Sequence, residues 1–255
     1  MIFLGGRLRI VALTPAISCV ECASDGKQRQ ALYAAFTAAS VLASCIYKHG
    51  EDPPKNLHNS LYFPAISNLP EYGNSDKSFS FRITKSFNVQ HRLIYLAETQ
   101  EQKTILLKFT RTYSIELHDL CFRLGHAPQI LSFKKLPGDW YVVAMEYLPC
   151  ASRLSSAFGL ATYRETWKEQ LWTLVHAFHE KGFVHGDLRD PNIVCSGQQV
   201  ILLDFDWGGK DGEATYPTAL LCKELMEGRT SNGLKIRKED DKRILTNTLN
   251  TLPRS

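Results

Sequence analysis

The alternation of apolar and polar positions between residues 78 and 148 predicts a small β-sheet. Five short segments rich in β-branched and aromatic residues are separated by polar turns, and we expect each to be a strand: 78–87, 91–99, 103–110, 129–136 and 139–148. The first three should form an antiparallel meander. Between the third and fourth, Ile115, Leu117, Leu120, Phe122 and Leu124 fall at roughly helical spacing before Gly125, which predicts one short helix.

Outside this region the pattern becomes helical. Residues 28–48 are rich in Ala and Leu and contain no Gly or Pro, so they predict a helix. Residues 51–78 collect four Pro together with Asn, Ser and Gly, which favours a loop and places a domain boundary near residue 75. A second helix is predicted to end near Gly182, and one of its faces carries five apolar residues: Trp167, Leu171, Leu174, Val175 and Phe178.

These elements predict an α+β fold in two lobes with a cleft between them. Residues 1–75 would be an N-terminal extension and 76–255 the folded domain, divided into a five-stranded sheet with one helix at about 76–146 and a mostly helical lobe at about 147–255. The net charge of +4 is too small to indicate nucleic-acid or membrane binding by itself. The seven cysteines show no disulfide-framework spacing and no apolar run spans a membrane, so we expect an intracellular protein, cytoplasmic or nuclear.

Polar residues that can carry chemistry follow the helix that is predicted to end near Gly182. The segment His185–Asn192 reads HGDLRDPN, and Asp204 comes 12 residues after Asn192, inside an apolar run where a carboxylate is costly. This pattern indicates a phosphotransferase site, in which Asp187 accepts or orients a substrate hydroxyl while Asn192 and Asp204 supply oxygen ligands for Mg²⁺. The alternative is a polar turn whose aspartates cap backbone amides.

Two further features fit a site for ATP. Lys108 interrupts an apolar strand and needs an anionic partner, for which Glu116 at the start of the following helix is a candidate; the alternative is a solvent-exposed edge lysine. The fifth strand ends at Met145–Leu148, where backbone N–H and C=O groups could meet the edge of an adenine ring, although the same residues could be ordinary core.

With these motifs the sequence resembles the protein-kinase-like superfamily, and HGDLRDPNI with LLDFDW most resembles the fungal-type protein kinases. The resemblance implies a bilobal protein-kinase-like fold that binds ATP and Mg²⁺ and acts on a protein substrate. It also implies a role for each matching residue: Lys108 and Glu116 as the ion pair of the small lobe, Glu146 to Leu148 as the adenine-binding hinge, Asp187 as the base, Arg189 as a contact to the transferring phosphate, and Asn192 and Asp204 as metal ligands.

The sequence departs from the kinase pattern at several points. Lys85–Gln90 stands where a GxGxxG loop is expected, Asp204-Phe205-Asp206 replaces DFG, and Gly186 replaces an arginine. No APE motif follows, and 255 − 204 = 51 residues come after Asp204, so we expect a short or truncated C-terminal lobe.

Three functions are consistent with these features. The first is an ATP-dependent phosphotransferase of the Ser/Thr protein kinase type. The second is a small-molecule phosphotransferase of the aminoglycoside or choline kinase type, which Gly186 fits better. The third is a non-catalytic, kinase-fold binding module, for which the missing glycine loop and APE segment speak.

Overall fold

A computed structural model describes residues 2–4, 7–9, 26–49, 66–87, 93–136, 139–158, 163–217, 221–229 and 233–252. The chain divides into two compact units, one formed by Met1–Ile66 with Leu136–Asp139 and the other by Ser67–Lys135 with Trp140–Ser255. The first unit contains an antiparallel hairpin of strands β1 (Ile2–Leu4) and β2 (Arg7–Arg9) and a long helix, α1 (Gly26–His49). The predicted helix at 28–48 is confirmed. Among the described helices, none is both long and apolar enough to cross a membrane.

The second unit begins with a six-stranded sheet. Its strands are β3 (Asn68–Glu71), β4 (Asn74–Phe87), β5 (Leu93–Thr99), β6 (Thr104–Thr110), β7 (Ile130–Leu136) and β8 (Trp140–Glu146). They lie in the order β3-β4-β5-β6-β8-β7, and the pairs from β3 to β6 and β6 with β8 are antiparallel. The five predicted strands are present, but the five-strand layout is not confirmed because β3 adds a sixth.

Strand β3 lies ahead of the predicted boundary near residue 75, within the proline-rich segment. It pairs with β4 through a tight turn at Gly73, whose φ of +77° is a conformation that glycine adopts without strain. Pro70 is tolerated because β3 is the edge strand and needs no N–H on its outer side. Leu69 anchors the strand in the core and is completely buried.

Helix α2 (Ile115–Arg123) follows β6 as predicted, but a different face is buried. The buried residues are Leu117, His118 and Cys121, whereas Phe122 and Leu124 are exposed. The apolar pattern therefore located the helix correctly and its buried face only in part. His118, which is not among the apolar residues of the predicted pattern, is fully buried.

The C-terminal lobe combines helices with short strands. Its helices are α3 (Leu154–Phe158), α4 (Arg164–Glu180), α5 (Lys223–Met226) and α6 (Lys238–Thr251); its strands are β9 (Ser152–Arg153), β10 (Phe183–Val184), β11 (Ile193–Ser196), β12 (Gln199–Leu202) and β13 (Gly209–Lys210). The predicted apolar face of α4 is confirmed, because all five of its residues are buried in the core. Each such side chain contributes about 1.5–3 kcal/mol relative to exposure, which fixes α4 beneath the loop that follows it.

Candidate active site

A short β-hairpin brings the two parts of the motif together. Strands β11 and β12 pair in the register Ile193↔Leu202, so the residues just outside the hairpin, Asn192 and Leu203, face each other. The Leu203 N–H donates to the Asn192 carbonyl at 2.9 Å. Asp204 is the next residue, and its positive φ of +66° turns the chain at this point. The 12-residue separation in sequence is therefore the length of one hairpin.

Asp187 and Asn192 are linked on the inner side of this loop. Asn192 donates its side-chain amide to the Asp187 carbonyl at 3.0 Å, and both residues are almost fully buried. The Asp187 carboxylate accepts two hydrogen bonds from Arg189, from Nε at 2.5 Å and from Nη2 at 2.9 Å. Arg189 also donates from Nη1 to Glu224 at 3.2 Å. The predicted base is thus held in a bidentate, charge-assisted pair, which fixes the orientation of its carboxylate.

Asp190, in the same loop, has a structural role. Its two carboxylate oxygens accept hydrogen bonds from the N–H and hydroxyl of Ser155 at 2.6 and 2.9 Å, close to the start of α3. The capping interpretation therefore holds for this residue. It does not extend to Asp187, whose carboxylate contacts Arg189.

Asp241 of α6 supports the loop from below. Its buried carboxylate accepts the N–H groups of His185 and Gly186 at 2.8 and 2.7 Å, and His179 Nε2 lies 3.0 Å from it. These bonds hold the backbone of His185 and Gly186 against α6. A fully buried carboxylate is costly unless several donors satisfy it, as they do here.

Gly186 stands where the kinase pattern has arginine, and a side chain at this position would require Ile236 to move. Its φ is +84°, and a Cβ placed on it would lie 2.8 Å from Ile236 Cδ1 and 3.4 Å from Trp207 Cβ. The Gly186 carbonyl accepts the hydroxyl of buried Tyr216 at 3.0 Å. The loop backbone is therefore pressed directly against the residues that follow Asp204.

Lys108 reaches the same site from β6. Its ammonium group forms ion pairs with Asp204 and with Asp206, the latter at 2.7 Å, and its side chain is 7% exposed. The alternative of a solvent-exposed edge lysine is therefore wrong. A buried ammonium requires a nearby negative charge, and two carboxylates of the segment Asp204-Phe205-Asp206 provide it.

The structure does not bring Glu116 to Lys108. Glu116 is exposed on α2, and among the described residues no ion pair joins the two. The expected partner was inferred from its position in sequence, but the buried residues of α2 are Leu117, His118 and Cys121 instead. The sequence predicts no role for Asp206, although its spacing of two residues from Asp204 could have indicated one.

The predicted hinge lies at the end of β8, as expected. Glu146 is exposed and its N–H donates to the Gln129 carbonyl at 2.9 Å, while Leu148 is half-buried and accepts the Ala151 N–H at 3.4 Å. The use of these residues to bind adenine stays a prediction.

Aromatic stacking joins α2 to the segment after Asp204. The Phe205 ring is buried and stacks on His118 with centroids 4.5 Å apart and planes at 8°. His118 is held in turn by the Tyr113 hydroxyl at 2.7 Å and the Pro128 carbonyl at 2.9 Å. The Phe205 carbonyl accepts the Ser114 N–H at 3.0 Å. These contacts hold the chain between Asp204 and Asp206 in one conformation.

Burial shifts the titration of two groups around this stack. Desolvation lowers the pKa of His118 to about 4, so the ring is neutral at physiological pH. Desolvation also raises the pKa of Asp206 to about 6, although Lys108 opposes the shift. The pKa of Arg189 is raised further above its ordinary value, first by its hydrogen bond to Asp187, so the guanidinium stays charged.

The oxygen donors around Asp204 fit a magnesium ion. Asp204 supplies a carboxylate, and Asn192, whose amide nitrogen is occupied by the Asp187 carbonyl, has an amide oxygen that this bond does not use. Magnesium needs only one or two such protein ligands when phosphate and water complete its shell. Among the described residues, no group of three or more His, Cys, Asp or Glu forms a dedicated metal cage.

The sequence matches no protein-family model and no curated protein sequence. Solved structures with a similar fold include the Cydia pomonella granulovirus kinase PK-1, with a TM-score of 0.52 and 14% identity over 68% of this chain and 70% of that chain. Vaccinia related kinase 3 has a TM-score of 0.51 and 13% identity over 76% of this chain and 73% of that chain. The chain has a protein-kinase-like fold. The narrower resemblance to fungal-type kinases stays a prediction.

Proposed function

We propose that the protein is an ATP-dependent phosphotransferase of the Ser/Thr protein kinase type. The observation that carries the proposal is the convergence of Lys108 from β6, Asp187 and Asn192 from one loop, and Asp204 from the end of a hairpin. Lys108 lies 96 residues before Asp204 in sequence, and a buried lysine beside largely buried carboxylates is costly to maintain without a use. The kinase-like fold of the structural neighbours supports the same function.

In this proposal each residue has one task. Lys108 orients the phosphates of ATP, and Asn192 and Asp204 hold Mg²⁺, which when bound neutralises the charge of the phosphate groups. Asp187 orients the acceptor hydroxyl and takes its proton. Because Arg189 contacts both oxygens of Asp187, the arginine must release one of them as the acceptor enters, and its guanidinium is then adjacent to the transferring phosphate.

A second candidate, a nucleotide-binding module without transfer, is favoured by that same pair. Arg189 neutralises Asp187 and satisfies both of its oxygens, so the predicted base is occupied in this conformation. Such a module would bind ATP and leave hydroxyl acceptors unmodified.

The decisive experiment is transfer of labelled phosphate from ATP in the presence of Mg²⁺. The unaltered protein is compared with Asp187→Asn, using a mixture of protein acceptors in one series and an amino-sugar or amino-alcohol in another. Label on protein that is lost in Asp187→Asn supports the proposal, and label on the small molecule alone would show the small-molecule class. If no label appears while ATP still raises the melting temperature, the binding-module function is correct.

A further inference from the structure

Lys108 is held by two carboxylates that both come from one short segment of the C-terminal lobe. Asp204 and Asp206 each place an oxygen in contact with the Lys108 ammonium, and their side chains are 11% and 25% exposed. An ammonium group has three N–H donors, so it can keep one carboxylate while it turns another donor toward an anionic ligand. Because two carboxylates contact Lys108, the ammonium can lose one of these contacts and still be paired.

Helix α2 cannot supply either carboxylate in this packing. Successive residues of a helix are rotated by about 100°, and burial of Leu117 and His118 leaves Glu116 on the exposed side. The stacking of His118 on Phe205 and its hydrogen bond to Pro128 fix this rotation of the helix. Turning Glu116 inward would break both contacts.

Asp206, in contrast, is held firmly in its position. The carbonyl of its neighbour Phe205 accepts N–H groups from Ser114 on one side and Gly208 on the other, at 3.0 and 3.3 Å. Gly208 permits the close approach of this turn to α2, since a Cβ there would lie 2.8 Å from Leu117 Cδ2. The backbone around Asp206 is thus fixed before any ligand binds.

We propose that Asp206 is the positioning residue that holds the Lys108 ammonium in the site, in place of a carboxylate from α2. The inference rests on the proposed phosphotransferase function, in which Asp204 is shared with Mg²⁺. If Mg²⁺ were held by Asp204, Asp206 would remain as the carboxylate that keeps the lysine extended toward the phosphates. In the segment Asp204-Phe205-Asp206, the first residue would therefore serve the metal and the third residue would hold the lysine.

The test uses Asp206→Asn, the conservative Asp206→Glu, the rival Glu116→Gln, and Asp119→Asn as a matched loss of one carboxylate from the outer side of α2. The first measurement is acylation of Lys108 by an amine-reactive reagent without nucleotide, read by mass spectrometry. Asp206→Asn should raise the labelling rate at least several-fold because a tightly paired ammonium reacts slowly, and Asp206→Glu should restore most of the protection. Glu116→Gln and Asp119→Asn should behave alike and leave the rate within about twofold.

The second measurement is ATP affinity by calorimetry, with and without Mg²⁺. Asp206→Asn should weaken ATP binding about tenfold with Mg²⁺, which is the effect of misplacing one charge-assisted contact, and less without Mg²⁺, when Asp204 still pairs with Lys108. Weakening with Mg²⁺ that comes without any change in Lys108 labelling would make Asp206 a metal ligand and overturn the inference. Equal effects of Glu116→Gln and Asp206→Asn, or unchanged Lys108 labelling in Asp206→Asn, would overturn it as well. If the unaltered protein binds no ATP, the proposed function fails, while the labelling still decides what holds Lys108.

Discussion

Replacing Gly186 by alanine should lower the free energy of unfolding by more than the backbone conformation at this position explains. Gly186 and Gly182 have nearly the same positive φ, +84° and +78°, but a Cβ at Gly182 would meet nothing within 4 Å, whereas at Gly186 it would lie 2.8 Å from Ile236 Cδ1. Replacing either glycine by alanine adds the left-handed backbone cost of about 1–2 kcal/mol. At Gly186 the overlap adds about 1–3 kcal/mol, so Gly186→Ala should lose about 2–5 kcal/mol in total.

Chemical denaturation followed by tryptophan fluorescence measures both free energies of unfolding. Ile236→Val provides the third arm, because it removes the methyl group that overlaps while costing about 0.5–1.5 kcal/mol by itself. In the double variant the overlap should be relieved, giving a favourable coupling energy of about 1–2 kcal/mol between positions 186 and 236.

The outcome that refutes the reasoning is equality of the two alanine variants within about 0.5 kcal/mol, or no coupling to Ile236. Either result would mean that the loop shifts away from Ile236 at no cost. The hydrogen bonds from the loop to Asp241 would then not constrain its position.

Three further predictions concern groups around the same site. Because the pKa of His118 is about 4 when folded and about 6.5 when unfolded, unfolded chains take up a proton first as pH falls below 6.5, and the free energy of unfolding should decrease by about 2 kcal/mol by pH 5 from this group. Asp206 has a pKa of about 6, above its unfolded value, so it changes the free energy of unfolding in the opposite direction over this range. The difference between the unaltered protein and His118→Gln therefore isolates the contribution of the histidine. An identical pH dependence in the two proteins would contradict the prediction. Asp241→Asn should cost about 2–4 kcal/mol in denaturation experiments, since one amide oxygen replaces a carboxylate that serves three donors, and a loss below about 1 kcal/mol would show that the loop does not depend on it. Arg189→Lys keeps the charge but not the planar fork, so kcat for phosphate transfer should fall about tenfold or more while KM for ATP changes less; an unchanged kcat would separate Arg189 from the reaction.

The strands and helices with a clear period were predictable from the sequence. The segments that became β4 to β8 are short, rich in β-branched and aromatic residues and bounded by polar turns, and α4 repeats its apolar face through about three turns. Strand β3 was not predictable in this way, because Asn68-Leu69-Pro70-Glu71 contains a proline and one core residue. Strands of two residues, such as β9 and β13, are too short to carry any period.

The buried face of α2 could not be predicted from the apolar pattern, for a different reason. The sequence marked Phe122 and Leu124 as core candidates because they are apolar, yet they are exposed, while His118 is fully buried. A histidine is expected to be exposed unless both of its ring nitrogens form hydrogen bonds, because buried polar groups need partners. In His118, the Tyr113 hydroxyl and the Pro128 carbonyl provide these bonds. That information lies in the tertiary arrangement and not in the local pattern.

In the candidate site, contacts within a local segment could be predicted from the sequence, whereas contacts between distant segments could not. The adjacency of Asn192 and Asp204 follows from one hairpin, so it depends only on a local segment of the sequence. Lys108 arrives from a strand 96 residues before Asp204, and which carboxylate meets it depends on the rotation of α2. Since Glu116 faces outward while His118 packs on Phe205, a buried lysine on β6 must find its charge in the segment that contains Phe205. The second carboxylate at Asp206 is therefore the physical counterpart of the outward-facing glutamate, and each of these two departures from the kinase pattern explains the other.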